Sequence, residues 1–285
     1  MTINLSAFYD SPIMILMEQQ LKKPSSLTIF MVSLFLIFIG LFIFWLGWTP
    51  AGFWGKLDSI AYAVCHRIAE HSYFFYGEQM PLCSRCTGMY LGAMTGLIYL
   101  FSQPRKAGYP SKKILFALLG LFLLFAIDGI NSTLHFFPGV EGLYPPQNWL
   151  RLLTGSGMGV VIAVMLVTVF NITVWNDSIP EKMLSKWRQL LPLVGEVAFF
   201  DILVLSRLSL LLFPLAILST LTVLGILSLV YSVLIIMIWK RDNTIASLRE
   251  YLPWLLSGLA CAFVQILLMD VIRLAITGTW AGFTL

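Results

Sequence analysis

Charged residues are scarce in this sequence: Asp, Glu, Lys and Arg make up 11% of the 285 residues, against roughly 25% in an average soluble domain. Hydrophobic residues make up 59% of the chain, and the mean hydropathy is +0.87. A folded soluble monomer needs a polar surface that this composition cannot supply. The shortage of charge therefore excludes a soluble enzyme, a disordered regulator and a nucleic-acid-binding protein that works through charge.

The sequence also lacks the short alternating segments of an outer-membrane β-barrel, because its hydrophobic residues form long continuous runs. The pattern predicts an all-α, polytopic transmembrane bundle in a lipid bilayer. Six spans are clear, at residues 27–48, 84–102, 114–137, 149–175, 210–239 and 251–276. A seventh apolar run, at residues 190–206, is interrupted by Pro192, Glu196 and Asp201, so it either crosses the membrane or lies in the interface as a solvated helix.

The distribution of basic residues sets the expected orientation, because Lys and Arg favour the cytoplasmic side. Residues 22–23, 105–113 and 240–249 carry basic clusters, whereas residues 138–146 carry no Lys or Arg. Seven crossings with a cytoplasmic N-terminus place all three clusters inside; with six crossings, the last cluster would lie outside. We expect a cytoplasmic tail at 1–26, a four-span unit at 27–175 and a C-terminal unit of two or three spans at 176–285.

Cysteine is scarce as well, and the positions of the four cysteines matter more than their number. The strongest local motif is CSRCTG at residues 83–88, and Cys65 and His66 precede it by eighteen residues. Two cysteines separated by two residues chelate a metal ion or form a redox pair. The motif begins a predicted helix, whose N-terminal dipole favours a thiolate.

Three hypotheses about these cysteines remain open. In the first, Cys65, Cys83 and Cys86 bind a metal, with zinc the best match to three thiolates and one further ligand. In the second, the last two form a membrane thiol–disulfide oxidoreductase, with a quinone as oxidant. In the third, two cysteines form a structural disulfide. The fourth cysteine, Cys261, lies in the middle of a span, and an odd number of cysteines beside a histidine favours the metal.

The candidates for the fourth metal ligand are His66, His71 and Asp128. His66 follows Cys65 directly in the sequence. Asp128 is a charged residue inside a span, where charge is costly and usually faces the bundle interior. Asp128 and Arg151 are also the candidates for a catalytic role, and we expect the two to pair across the third and fourth spans.

The predicted topology places the cysteine motif on the extracytoplasmic side of the membrane, and further polar residues predict a binding site for an anion on that side. Asp128, Asn131 and His135 recur at spacings of three and four, so they share one helix face. The predicted contacts of an anionic lipid or a small anion are Arg85, Thr87, Asn131, Arg151 and Thr154.

Small residues predict how two of the spans meet. Gly88, Gly92 and Gly96 recur every four residues in the second span, and residues 155, 159 and 163 are Gly, Gly and Ala in the fourth. Such faces let two helix backbones approach closely in a membrane. We therefore expect the second and fourth spans to pack along these faces.

A transporter, or an accessory subunit of a larger membrane complex, is a further hypothesis. It would give the main role to charged residues of the C-terminal half, namely Glu196, Asp270 and Arg273. Asp270 and Arg273 are three residues apart in the last span, so they are expected to pair with each other.

The string CHRI at residues 65–68, followed by PLCSRCTGMYLG at 81–92, resembles the signature of a prokaryotic family of predicted membrane proteins of unknown function. Asp128 with Asn131, and Arg151 with Thr154, resemble later motifs of that family. The resemblance covers about residues 60–165. It implies a multi-pass protein of a prokaryotic cytoplasmic membrane and brings no activity with it.

Overall fold

Eight α-helices and four short β-strands form in the part of the chain that the computed structural model describes, residues 26–137, 139–140 and 142–283. The helices are α1 (Ser26–Trp48), α2 (Gly52–Val64), α3 (Ser84–Phe101), α4 (Lys112–Leu134), α5 (Asn148–Val174), α6 (Leu190–Leu205), α7 (Ser209–Ile238) and α8 (Leu248–Thr277). The all-α prediction is confirmed. The expected cytoplasmic tail, apart from its last residue, lies outside the described residues.

Each of the seven predicted apolar runs coincides with one helix, and their ends agree within a few residues. Five of these helices, α1, α4, α5, α7 and α8, are long and apolar enough to cross a membrane. α3 and α6 are shorter, with 18 and 16 residues. The chain is a multi-pass membrane protein.

Helix α6, which corresponds to the interrupted apolar run at residues 190–206, extends along the bundle from one end to the other. At its start, the carbonyl of Gln189 accepts a hydrogen bond from Tyr99, near the last turn of α3. Toward its other end, Asp201 accepts a hydrogen bond of 2.6 Å from Ser156, in the first turns of α5. This path agrees with seven crossings. The alternative of a solvated interfacial helix would leave Asp201 exposed, but its side chain is buried; Glu196 is exposed.

The connecting segments at the two ends of the bundle differ in charge. We call one end the basic end, with residues 102–111, 175–189 and 239–247, and the other the site end, with residues 49–83, 135–147, 206–208 and 278–283. The basic-end segments carry seven Lys and Arg residues, whereas the site-end segments carry three. The positive-inside tendency therefore predicts that the basic end faces the cytoplasm.

Close packing of α3 on α5 brings the two halves of the predicted small-residue interface together. A Cβ atom at Gly92 would overlap the backbone of Ser156, and one at Gly159 would overlap the carbonyl of Met89. Gly96 faces Ala163 in the same register. The predicted packing of these two spans is confirmed, and it fixes the N-termini of α3 and α5 side by side at the site end.

Residues 49–83 have more structure than a loop. The amphipathic helix α2 is followed by a short 3₁₀ turn at Ala69–His71 and a hairpin of β1 (Phe74–Phe75) and β2 (Glu78–Gln79). Tyr76 and Gly77 have positive φ values of 47° and 83°, as a two-residue type I′ turn requires. At the basic end, β3 (Lys106–Gly108) pairs in parallel with β4 (Ile179–Lys182).

Candidate metal centre

Three of the four side chains predicted to bind a metal come together at the site end, and the fourth packs beside them. Cys65 directly follows α2, Cys83 directly precedes α3, and Cys86 lies in the first turn of α3. The ligand atoms of Cys65, His66 and Cys83 all lie within 4.8 Å of one another. The side chain of Cys86 packs beside this group, near enough to influence the thiols of Cys65 and Cys83.

Cys65 is the centre of this cluster and is almost fully buried, with 4% of its surface exposed. Its Sγ accepts a hydrogen bond of 3.3 Å from the backbone N–H of Cys83. Hydrogen bonds with the thiols of Cys83 and Cys86 lower the pKa of Cys65 well below its usual value. The pKa of Cys83 is raised, because its thiol faces the Cys65 sulfur in a buried site. The geometry therefore favours a thiolate at Cys65, the form in which cysteine binds a metal.

All four cysteines are free thiols. The structural-disulfide hypothesis therefore has no counterpart in the structure. Cys261 is half-buried in α8 and lies outside the cluster. The three clustered thiols remain available for either metal binding or thiol chemistry.

His66 has a second partner that fixes the orientation of its ring. Its Nε2 lies 3.2 Å from Nδ1 of His71, whose ring stacks on Phe136. Burial and the positive charge of Arg151 lower the pKa of His71 to about 4. His71 is therefore neutral near pH 7, so its Nδ1 can accept the Nε2–H proton of His66 and leave the other nitrogen of His66 for a ligand.

Arg273, on α8, holds the backbone that carries Cys65 and His66. Its guanidinium donates hydrogen bonds to the carbonyls of Cys65, Tyr62 (2.6 Å) and His66 (3.0 Å). The expected pairing of Arg273 with Asp270 is wrong. Asp270 instead accepts a hydrogen bond of 3.4 Å from the Trp45 indole.

Asp128 pairs with Arg85 and not with Arg151 as expected. The Arg85 guanidinium donates to one Asp128 carboxylate oxygen at 2.5 Å and also to the Ser132 hydroxyl. The Tyr144 hydroxyl donates to the other oxygen of Asp128 at 3.0 Å. Asp128 is therefore engaged in a buried ion pair, and its carboxylate is not in the group of close ligand atoms, whereas His66 is.

Three of the residues predicted to contact an anion use their polar groups elsewhere. The Thr87 hydroxyl donates to the Leu82 carbonyl. The Asn131 amide donates to the Tyr144 carbonyl and accepts from backbone N–H groups of the same loop. The Thr154 hydroxyl donates to Asp128 and to carbonyls of its own helix. These contacts stabilise the helix ends around the site.

A cavity of about 820 Å³ adjoins the cluster on the side of α4 and α5. Its polar lining includes His66, Cys83, Arg85, His135 and Arg151. Two of the five residues predicted to contact an anion, the two arginines, therefore line one cavity. The roles of Tyr144 and Arg273 could not be predicted from the sequence, and of the two only Arg273 gave a signal, as a charge inside a span.

Comparison with known proteins places the chain among relatives. A family described as "Predicted membrane protein (DUF2085)" matches residues 65–165, the segment with the cysteine cluster and α3, α4 and most of α5. An uncharacterized protein of Methanothermobacter thermautotrophicus is 40% identical over 102 residues, which cover 36% of this chain and 83% of that protein. An uncharacterized protein of Methanocaldococcus jannaschii is 26% identical over 145 residues, covering 50% of this chain and 87% of that protein. No solved structure matches. The chain belongs to this prokaryotic family of multi-pass membrane proteins.

Proposed function

We propose that the site end holds one zinc ion, bound by the thiolates of Cys65, Cys83 and Cys86 and by the imidazole of His66. The observation that carries the proposal is the grouping of the ligand atoms of Cys65, His66 and Cys83 within 4.8 Å, with the Cys86 thiol beside them. Ligand atoms around a tetrahedral zinc ion lie about 3.5–3.8 Å apart, given zinc–ligand bonds of about 2.0–2.3 Å. A small contraction of the cluster produces that geometry.

The surroundings of the cluster suit a metal-binding site. The Cys83 N–H donates to the Cys65 sulfur, and the His66 ring is hydrogen-bonded to the His71 ring, so Cys65 and His66 each have a partner that orients them. Arg273 fixes the backbone of Cys65 and His66 from α8. A zinc ion here would join the end of α2 to the start of α3 and would tie both to the bundle.

A thiol–disulfide oxidoreductase is the second candidate, favoured by the packing of Cys83 and Cys86 around the buried Cys65. In that reaction two thiols lose two protons and two electrons and form a disulfide. A membrane quinone would take up both and become a quinol. The two candidates differ in metal content and in the number of free thiols.

The test is to purify the protein in detergent without chelators, to measure metals by elemental analysis and to count thiols after denaturation. The zinc proposal predicts about one zinc per chain and four free thiols. Cys65→Ser is expected to lose the zinc, whereas the matched control Cys261→Ser retains it. Absence of metal together with two missing thiols in the wild-type protein contradicts the proposal and supports the oxidoreductase.

A further inference from the structure

The cavity beside the cluster has a cationic lining. Among the described residues, no Asp or Glu lines it, whereas Arg85, Arg151 and three histidines do. The charge of Arg85 is compensated by Asp128 at 2.5 Å. In the part of the chain that the structure describes, the charge of Arg151 has no such partner.

Arg151 is buried, with 4% of its surface exposed. Nη1 donates to the Asn148 side chain at 2.9 Å. Nε has no hydrogen-bond partner within the described part of the chain, and no salt bridge there joins Arg151 to an acid. Burial of a cation without a partner is unfavourable in free energy, so the binding of an anion beside it is correspondingly favourable.

The helix termini add to the positive potential of the cavity. Arg85 lies in the first turn of α3 and Arg151 in the first turns of α5, and neither helix has an acidic residue in its first turn. A helix N-terminus carries a partial positive charge, which basic residues at that position reinforce. Two such termini meet here because α3 and α5 pack closely along their glycines.

We propose that this cavity binds the phosphate group of an organic molecule, with Arg151 as its main contact. A guanidinium group binds phosphate through two parallel hydrogen bonds. A volume of about 820 Å³ leaves room for an organic group beside the phosphate. Two exposed aromatic residues, Phe136 and Phe283, border the cavity at the site end of the bundle. A phospholipid headgroup and a soluble phosphate ester share the required chemistry.

The proposal does not rest on the zinc site, and one rival explanation comes from that site. A zinc ion with three thiolates has a net charge of −1, so the metal centre itself would offset Arg151. In that case Arg151 supports zinc binding and the cavity binds no phosphate. The test therefore measures zinc and phosphate binding in the same samples.

For the soluble arm, glycerol 3-phosphate and inorganic phosphate are titrated into the detergent-purified protein and followed by calorimetry. For the lipid arm, the protein is exposed to phosphatidylglycerol, and retained lipid is counted by native mass spectrometry. The variants are Arg151→Gln and Arg151→Lys. The matched control is Arg207→Gln, which removes an exposed positive charge at the same end and outside the cavity.

We expect the wild-type protein to bind one of the two phosphate sources, and Arg151→Gln to bind it about tenfold more weakly or worse. Arg151→Lys keeps the positive charge but loses the two parallel hydrogen bonds of a guanidinium group, so its affinity for phosphate should lie between those of the wild type and Arg151→Gln. The affinity of Arg207→Gln for phosphate should remain within about twofold of the wild-type affinity. The proposal is overturned if the wild type binds neither phosphate source, or if the Arg151 variants bind it as tightly as the wild type does. It is also overturned if Arg207→Gln loses as much phosphate affinity as Arg151→Gln. Wild-type protein that lacks zinc and still binds phosphate supports this inference while contradicting the zinc proposal.

Discussion

The Asp128 carboxylate accepts hydrogen bonds from three separate parts of the site end: Arg85 on α3, Thr154 on α5 and Tyr144 in the loop before α5. It is almost fully buried, and so is most of its partner arginine. Removal of one member of a buried ion pair leaves the other without compensation. Asp128 is therefore expected to matter for stability and not for metal binding.

For Asp128→Asn we predict a loss of roughly 3–5 kcal/mol in the free energy of unfolding, measured by denaturant titration in detergent. Zinc content of the folded fraction should remain unchanged. Glu78→Gln is the control, because Glu78 is exposed at the same end. A folded Asp128→Asn protein without zinc would show that Asp128 is a ligand after all.

Arg273 supports a second prediction at the residue scale. Arg273→Met removes the donors that hold the carbonyls of Tyr62, Cys65 and His66. We expect zinc to leave the variant faster in a competition with a soluble chelator, because the backbone of two ligands loses its support. Arg273→Lys should retain zinc better than Arg273→Met but less well than the wild type, since a lysine cannot form the several hydrogen bonds of the guanidinium group. Equal zinc retention in all three proteins would contradict this role.

The residue types of the site could be predicted from the sequence, but the choice of partners could not. The spacing predicts Cys65, His66, Cys83 and Cys86 as ligands; the ligand atoms of the first three lie within 4.8 Å of one another, and Cys86 packs beside them. The sequence predicts a pair of Asp128 and Arg151, whereas Asp128 pairs with Arg85. All three lie at the same end of adjacent helices, and spacing along the chain does not resolve helix rotation or side-chain reach.

Among the helices, the contact of α3 with α5 positions both sides of the site. Gly159 lies against the backbone of Met89 and Ala93, so a methyl group there has no room. Gly120, on α4, has open space around the position of a Cβ. The two glycines form a matched pair for testing this interface.

For Gly159→Ala we predict a loss of about 1–3 kcal/mol in stability, because the helices must separate. Gly120→Ala should be neutral or stabilising by up to about 1 kcal/mol, since alanine is the better helix former. Thermal unfolding in the same detergent measures both. Equal unfolding temperatures for the two variants would mean that the close contact of α3 and α5 does not contribute to stability.

At this scale the sequence was informative where apolar runs are long. The seven predicted runs correspond to seven helices, because the exclusion of charge from a bilayer leaves a strong signal over about 20 residues. The hydropathy pattern does not predict α2 or the β1–β2 hairpin. Both are short and mixed in composition, and they are stabilised by packing on the bundle, as the burial of Tyr62 and Phe75 shows.

For the whole molecule, the charge difference between the two ends predicts the orientation in the membrane. Tyr76, in the hairpin turn, is exposed at the site end, and Asp242 is exposed at the basic end. In whole cells, a membrane-impermeant maleimide should label Tyr76→Cys and should label Asp242→Cys only after the membrane is opened. Both variants carry Cys261→Ser to lower the background. The reverse pattern would place the cysteine cluster on the cytoplasmic side.

The central claim is that three cysteines and one histidine bind zinc at the site end of this bundle. Zinc K-edge X-ray absorption of the purified wild-type protein tests it most directly, because the spectrum reports the ligand atoms and their distances. We predict three sulfur ligands at about 2.3 Å and one nitrogen ligand at about 2.0 Å. A protein without zinc, or zinc surrounded only by oxygen and nitrogen atoms, would contradict the claim.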